Sequence, residues 1–198
     1  MMPKEDHVRT HLSNIGVGLD KPVVCYDRTD NKFATRAAYV LKAWGFDNVK
    51  ILDGGLKAWG DRPTESGESN KGSGTNFNFH FRPELVASYE DIQAITSGQV
   101  KSQIVDARLA SAYNAGHIPG AINIPMPTLM TAEGTLRPVE EIKELFVEAG
   151  LALNQPVVFS CATGVGASYL HAVADDVGIP QHNIYDGSWS EYSVRSKE

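Results

Sequence analysis

The sequence predicts an α/β fold in which a parallel sheet is flanked by helices, present as two tandem copies of which the first is partial. Short apolar segments alternate with amphipathic segments of helical length, an order typical of parallel βαβ units. Residues 23–59 also repeat the pattern of residues 157–192. The chain is therefore expected to hold two versions of one architecture.

The first copy is predicted to open with a helix and then to alternate strands and helices. In its second helix, the spacing of Ala37, Val40, Leu41 and Trp44 places these side chains toward a core. The predicted elements are a helix over 2–14, a strand over 22–26, a helix over 33–45 and a strand over 49–52.

The segment after the first copy differs in composition. Between Gly60 and Gly74 apolar side chains give way to Pro, Gly, Ser, Asn and Glu, which is typical of a linker. We therefore predict a first, partial domain over 1–60, a linker over 61–87 and a second domain over 88–198.

The second copy is predicted to begin where Ser88 and Asp91 form a capping box. Strands and helices again alternate, and the length is sufficient for an independent core. The predicted elements are helices over 88–98, around 111, over 138–150 and over 167–177, and strands over 103–106, 157–160 and 183–185.

The composition of the 198 residues, 42% hydrophobic and 21% charged, is that of an ordinary globular chain. The net charge of −6 and the lack of a basic run argue against nucleic acid and anionic membranes as partners. No apolar run has the length of a membrane span and no targeting segment is visible, so the cytoplasm or the mitochondrial matrix is the expected location. The two cysteines form no metal-ligand pattern, and no metal or cofactor is expected.

Residues 157–168 bring a cysteine to the end of a buried strand. Cys161 follows the strand, and Gly164 and Gly166, both able to adopt positive φ, lead into a helix. A strand, a glycine loop and a helix N-terminus surround one point with backbone N–H groups, and such a nest favours an anion. Here the natural anion is the Cys161 thiolate, an exposed nucleophile. The alternative is a buried structural cysteine.

Three motifs in a fixed order resemble those of the rhodanese family of sulfurtransferases. An entry motif spans 105–108 and 116–125, and an exit motif spans 185–192. The paired copies are similar to the two-domain thiosulfate and 3-mercaptopyruvate sulfurtransferases, whose first domain is inactive. The resemblance implies that Cys161 carries a sulfane sulfur as a persulfide. Between the two motifs, the family's Cys-x-x-Gly-x-x-Ala loop is matched by Cys161, Ala162, Thr163, Gly164, Val165, Gly166 and Ala167.

The first copy has Asp27 at the position equivalent to Cys161. The separation is 134 residues between these two and 133 between Asp53 and Asp186, so the first loop is one residue longer. An aspartate cannot accept a sulfane sulfur, and the first copy is therefore predicted to be silent. No residue before Pro22 corresponds to the entry motif, so the resemblance implies an N-terminally truncated first domain.

Four further side chains each have a structural alternative. Arg108 follows a strand end and either binds a substrate anion or pairs with Asp106. The hydroxyl of Thr163 either faces the sulfur and its substrate or bonds its own loop and helix. His117 is predicted to form a hydrogen bond within a turn, and Cys25 to be a core thiol.

The functional hypothesis is a sulfurtransferase that moves a sulfane sulfur from a small donor to a thiol or cyanide acceptor. The donor is expected to be 3-mercaptopyruvate rather than thiosulfate, because Ala162 and Thr163 place no cation beside the cysteine. A cysteine phosphatase is excluded, because position 167 holds alanine rather than arginine. The alternative is a non-catalytic rhodanese-like binding module. Self-association through residues 1–60 is expected, since a partial copy leaves a sheet edge open.

Overall fold

A computed structural model describes residues 2–67 and 77–197 and confirms the predicted alternation of strands and helices. Residues 68–76 of the predicted linker lie outside the described residues. No helix in these described ranges is long and apolar enough to cross a membrane. The elements are α1 (Glu5–Ile15), β1 (Val23–Cys25), α2 (Lys32–Ala43), β2 (Val49–Ile51), α3 (Gly55–Trp59), β3 (Val86–Ala87), α4 (Tyr89–Thr96), β4 (Gln103–Asp106), α5 (Ala110–Asn114), β5 (Ile122–Asn123), α6 (Val139–Glu148), β6 (Val157–Ser160), α7 (Ala167–Ala174), β7 (His182–Tyr185) and α8 (Ser188–Arg195), with 3-10 turns at Pro83–Leu85 and Met126–Leu129.

Five parallel strands form the larger sheet, in the order β3-β7-β6-β4-β5. The central strand β6 has all four residues buried. Its side chains alternate between two cores, since Phe159 packs with residues of α6 and α7 and Val158 with residues of α4. The predicted fold class, a parallel sheet flanked by helices, is confirmed.

The chain leaves the adjacent strands β4 and β6 toward opposite faces of the sheet. After β4 it enters α5, whose Tyr113 packs on one face, and after β6 it enters α7, whose Leu170 packs on the other. Loops that diverge in this way open a crevice at the carboxyl edge of a parallel sheet. Cys161, the first residue after β6, lies at this edge.

The smaller sheet repeats the pairing of β6 with β7. Strands β1 and β2 are parallel with Val23 opposite Val49, just as Val157 lies opposite His182. Equivalent strands of the two pairs, β1 with β6 and β2 with β7, are offset along the sequence by the same 134 and 133 residues as the motifs. The duplication predicted from the sequence is therefore confirmed down to the register of the strands.

Helix α2 is buried on two sides. Ala38 and Leu41 pack in the core of the first copy, whereas Tyr39 packs in the core of the second. The prediction that Ala37 points inward is wrong, because this residue is exposed. Two separate cores cover α2, so its buried arc is shifted from the one that the hydrophobic spacing alone indicates.

Strand β3 and the capping box mark the start of the second copy. Val86–Ala87, placed in the linker by composition, pair with β7 at the edge of the larger sheet. The predicted capping box is confirmed: the Ser88 hydroxyl accepts the N–H of Asp91 at 3.1 Å, and the Asp91 carboxylate accepts the N–H of Ser88 at 2.8 Å. The predicted domain limits at residues 60 and 88 stay predictions.

Candidate active site

Cys161 begins the loop that follows the central strand. The residue is only 5% exposed, so the prediction of an exposed thiol is wrong. A Cβ added to Gly166 would lie 3.7 Å from the Cys161 Sγ, in ordinary van der Waals contact. The sulfur therefore lies within the loop, against the start of α7, rather than on its surface.

The two glycines of the loop have different roles. Gly164 has a φ of +81°, in the left-handed region that glycine enters without steric cost. A Cβ at this position would lie 2.9 Å from the Asp186 Oδ1. Gly166 instead has a φ of −65° as the N-cap of α7, so the positive φ considered for it is not adopted. The backbone therefore requires glycine at position 164 only.

The exit motif, residues 185–192, holds the backbone of Cys161. The Ser188 hydroxyl accepts the N–H of Cys161 at 3.2 Å, and the N–H of Trp189 donates to the Cys161 carbonyl oxygen at 3.0 Å. Ser188 is fully buried and has a φ of +53°, an uncommon conformation for a residue other than glycine. The exit motif thus fixes the cysteine from outside its own loop.

An arginine of the first copy reaches this site. Arg36, in α2, donates from Nη1 to the Asp186 Oδ1 at 2.5 Å, and the two side chains are 14% and 8% exposed. The same nitrogen lies 3.2 Å from the position that a Cβ of Gly164 would occupy. No motif in the sequence points to Arg36, because a single arginine within an amphipathic helix resembles any surface arginine.

Arg108 is held at the strand end from which it emerges. Its guanidinium donates to both carboxylate oxygens of Asp106, at 2.6 to 3.0 Å, and to the Gly116 carbonyl oxygen at 2.8 Å. The guanidinium carbon also lies 4.9 Å from the centre of the Trp189 ring. Of the two alternatives, the structure has the ion pair with Asp106. A contact between Arg108 and a substrate anion stays a prediction.

The remaining residues of the cysteine loop differ in their exposure to solvent. Ala162 and Thr163 are exposed, Val165 is half-buried and Ala167 is buried. Helix α7 has no side-chain cap, and within the described part of the chain the Thr163 hydroxyl forms no hydrogen bond. The alternative in which Thr163 bonds its own loop or helix is therefore not observed.

Two other candidates have the structural roles predicted for them. The Nδ1 of His117 forms a 2.9 Å hydrogen bond with the carbonyl group of Tyr113, and the two rings stack 3.8 Å apart. Cys25 belongs to the core of the first copy, and burial raises the pKa of its thiol. Neither prediction needs correction.

In the first copy, the loop that follows β1 stabilises the negative charge of Asp27. Burial acts to raise the pKa of Asp27, but hydrogen bonds to its carboxylate outweigh that effect and hold the pKa below its usual value. The equivalent position in the second copy is Cys161. The first copy therefore forms an anion nest at the position that Cys161 occupies in the second copy. The Asp27 carboxylate accepts four backbone N–H groups at 2.8 to 3.3 Å, from Thr29, Asn31, Phe33 and Ala34.

Similar proteins of known activity share both copies of this architecture. Residues 2–62 and 89–195 match the rhodanese-like domain. The 3-mercaptopyruvate sulfurtransferase of Escherichia coli K12 is 33% identical over 209 residues, covering 99% of this chain and 73% of the relative. The thiosulfate sulfurtransferase of Gallus gallus is 32% identical over 209 residues, covering 99% of this chain and 72% of the relative.

The crystal structure of SseA from Escherichia coli superposes with a TM-score of 0.86 at 32% identity, covering 96% of this chain and 75% of that one. Together with the strand–loop–helix geometry around Cys161, these similarities establish that the chain belongs to the rhodanese family of sulfurtransferases.

Proposed function

We propose that this protein moves a sulfane sulfur from a small donor to a thiol or cyanide acceptor through a persulfide on Cys161. The Cys161 thiolate attacks the donor sulfur, a sulfur–sulfur bond forms, and the rest of the donor leaves with the electron pair of the broken bond. The acceptor then attacks the outer sulfur, and the Cys161 thiolate is regenerated. Both steps are nucleophilic displacements at sulfur and need no metal ion.

The observation that carries this proposal is the anion nest of Asp27. In the first copy, Asp27 is the equivalent of Cys161. The Asp27 carboxylate accepts backbone N–H groups from its own loop and from the start of the following helix. By equivalence, the N–H groups of residues 163–167 face a charge on the cysteine side chain. A nest of backbone donors stabilises a thiolate and a persulfide without a cationic side chain.

The proposal is tested by mass spectrometry of peptides after incubation with a sulfur donor. A mass increase of one sulfur atom on the peptide that contains Cys161, lost again on addition of cyanide, is the expected result. The alternative, a non-catalytic binding module, predicts no such adduct on Cys161 with either 3-mercaptopyruvate or thiosulfate.

We propose 3-mercaptopyruvate rather than thiosulfate as the preferred donor. Thiosulfate is a dianion, whereas the exposed positions beside the cysteine, Ala162 and Thr163, are uncharged. The nearby arginines, Arg36 and Arg108, each pair with an aspartate, so neither offers an unpaired cation to a dianion. Steady-state rates with both donors, measured side by side, test this choice, and a higher kcat/KM for thiosulfate would refute it.

We further propose that the chain self-associates through the edge of β1. Among the described residues this strand pairs only with β2, and beside it Val24, Tyr26 and Phe33 are 55%, 55% and 60% exposed. An unpaired strand edge with apolar side chains is a template for pairing with a second copy. Light scattering is expected to report an oligomer that Val24→Lys disrupts, and a monomeric unaltered chain would disprove the interface.

A reducing compartment, either the cytoplasm or the mitochondrial matrix, is the location that we propose. Cys25 and Cys161 are both free thiols, as expected where glutathione keeps cysteines reduced. The net charge of −6 opposes binding to the phosphate backbone of a nucleic acid. Cell fractionation tests the location directly.

A further inference from the structure

We propose that Arg36 is a positioning residue for the cysteine loop, so that the silent first copy controls the geometry of the active site in the second. The inference rests on the proposed function of Cys161. It concerns a residue that no motif of the loop contains and that lies in the other copy of the repeat.

A short chain of contacts connects Arg36 to the loop. Arg36 holds the Asp186 Oδ1 at 2.5 Å. That oxygen and the Asp186 carbonyl oxygen lie 2.9 and 3.0 Å from the position that a Cβ of Gly164 would occupy. Two residues further on, Ser188 accepts the N–H of Cys161. Arg36 therefore fixes the segment that supports both the middle and the start of the loop.

The two copies differ at this contact. Position 169 is the equivalent of position 36, and Asp53 is the equivalent of Asp186. At the loop of the silent copy, Tyr169 of α7 takes the place of a cation. The pKa of Tyr169 rises to about 12 through burial and the negative charges of Asp53, Asp30 and Asp27. Of these two equivalent contacts across the interface, only the one at the cysteine loop has an arginine, and the silent copy supplies it.

A positioning role and a donor-binding role predict different kinetics. The charge of Arg36 is already paired with Asp186, and both side chains are largely buried. Removing the guanidinium takes away the ion pair that Arg36 forms with the largely buried Asp186 carboxylate, and the segment that carries this carboxylate is then expected to shift. The rate of sulfur uptake at Cys161 should therefore fall, while the KM for the donor should change little.

The test compares Arg36→Met, Arg36→Lys and a matched control, Arg9→Met. Arg9 also pairs with a carboxylate, that of Glu5, and lies over an aromatic ring, but far from the loop along the chain. We expect Arg36→Met to lower kcat about 10- to 100-fold, as a displacement of about 1 Å does. Arg36→Lys should restore most of the rate, and Arg9→Met should match the unaltered protein. The alkylation rate of Cys161 by iodoacetamide, followed on its peptide, should show the same order.

Two outcomes would overturn the inference. In the first, Arg36→Met matches Arg9→Met in both kcat and alkylation rate. In the second, Arg36→Lys restores neither kcat nor the alkylation rate. If Arg36→Met does not fold, Arg36→Met combined with Asp186→Asn removes both charges. Slow alkylation of Cys161 in that folded double variant supports the inference, and an unchanged rate overturns it. Absence of sulfur uptake by the unaltered protein would refute the proposed function alone, because alkylation reports on loop geometry without any donor.

Discussion

The hydroxyl oxygens of Thr35 and Ser168 lie 3.3 Å apart in the buried interface between the two copies, and the two residues occupy equivalent positions of the repeat. A contact between equivalent residues indicates a local two-fold axis, as in an isologous dimer interface. Helices α2 and α7 therefore pack as a pseudo-symmetric pair. This axis also relates the loop of Asp27, which precedes α2, to the loop of Cys161, which precedes α7.

Replacement of Gly164 by alanine should damage the active site more than the fold. Its φ of +81° is unfavourable for alanine, and the new Cβ would lie 2.9 Å from the Asp186 Oδ1. We expect sulfur uptake at Cys161 to slow at least about 10-fold, because the loop must shift away from Asp186. Single-turnover kinetics with 3-mercaptopyruvate measure this rate.

Gly178→Ala is the matched control for Gly164→Ala. Gly178 has a similar φ of +87°, but a Cβ there would meet no atom within 4 Å. This variant should lose only the backbone term, about 1–2 kcal/mol of unfolding free energy, and keep its uptake rate. Equal uptake rates in the two variants would show that the Asp186 contact does not position the loop.

Ser188→Ala should destabilise the protein by about 1–3 kcal/mol in urea unfolding, because the buried N–H of Cys161 loses its acceptor. Ser188→Gly loses the same hydrogen bonds but relieves the φ of +53°, so it should be the more stable of the two variants. Gly55, the equivalent residue of the first copy, already combines glycine with a φ of +56°. A less stable glycine variant would contradict the assignment of backbone strain at Ser188.

His171 should make the stability of the protein sensitive to acid. Burial, with smaller contributions from His182 and Lys42 that outweigh Asp175, lowers its pKa to about 3. An unfolded chain, with a histidine pKa of ~6.5, binds more protons between these two values. The unfolding free energy should therefore fall as the pH drops below about 6.5, by up to about 1.4 kcal/mol per pH unit.

Urea unfolding at neutral pH and near pH 5 tests this acid sensitivity. His171→Leu should lose less stability over that interval than the unaltered protein, because it removes the buried imidazole. His11→Gln is the control, since His11 is exposed and should leave the pH dependence unchanged. An unaltered pH slope in His171→Leu would assign the acid sensitivity to other groups.

Transferable sulfur should depend on Cys161 alone. Cys161→Ser is expected to abolish cyanolysable sulfur, whereas Cys25→Ser should retain it, because Cys25 lies in a core and its thiol has a raised pKa. A colorimetric assay of thiocyanate after donor treatment decides between the two cysteines. Comparable losses in both variants would contradict the assignment.

Much of the fold could be predicted from local signals. Val157 and Val158 indicate a buried strand by side-chain type, and Ser88 with Asp91 indicates a helix start by its capping chemistry. The duplication followed from equivalent motifs, and the register of the two strand pairs agrees with it. Signals of this kind lie within a few residues of the element that they predict.

The features that the sequence did not predict depend on contacts between distant segments. The burial of Cys161 arises from the exit motif, and the orientation of Ala37 arises from two cores that meet at α2. The pairing of Arg36 with Asp186 joins residues 150 positions apart. Comparison across the repeat does not single out this arginine, because neighbouring equivalent positions such as 37 and 170 also differ.

The two-sided burial of α2 is expected to make the duplicated chain unfold as a single cooperative unit. Melting this helix would uncover Ala38 and Leu41 in one core and Tyr39 in the other, so neither copy can lose its order without weakening its neighbour. The amide protons of α2 should accordingly exchange with solvent at the same slow rate as those of the central strand β6, because both would exchange through opening of the whole molecule. We therefore expect that the repeat boundary that is visible in the sequence is not a boundary of folding.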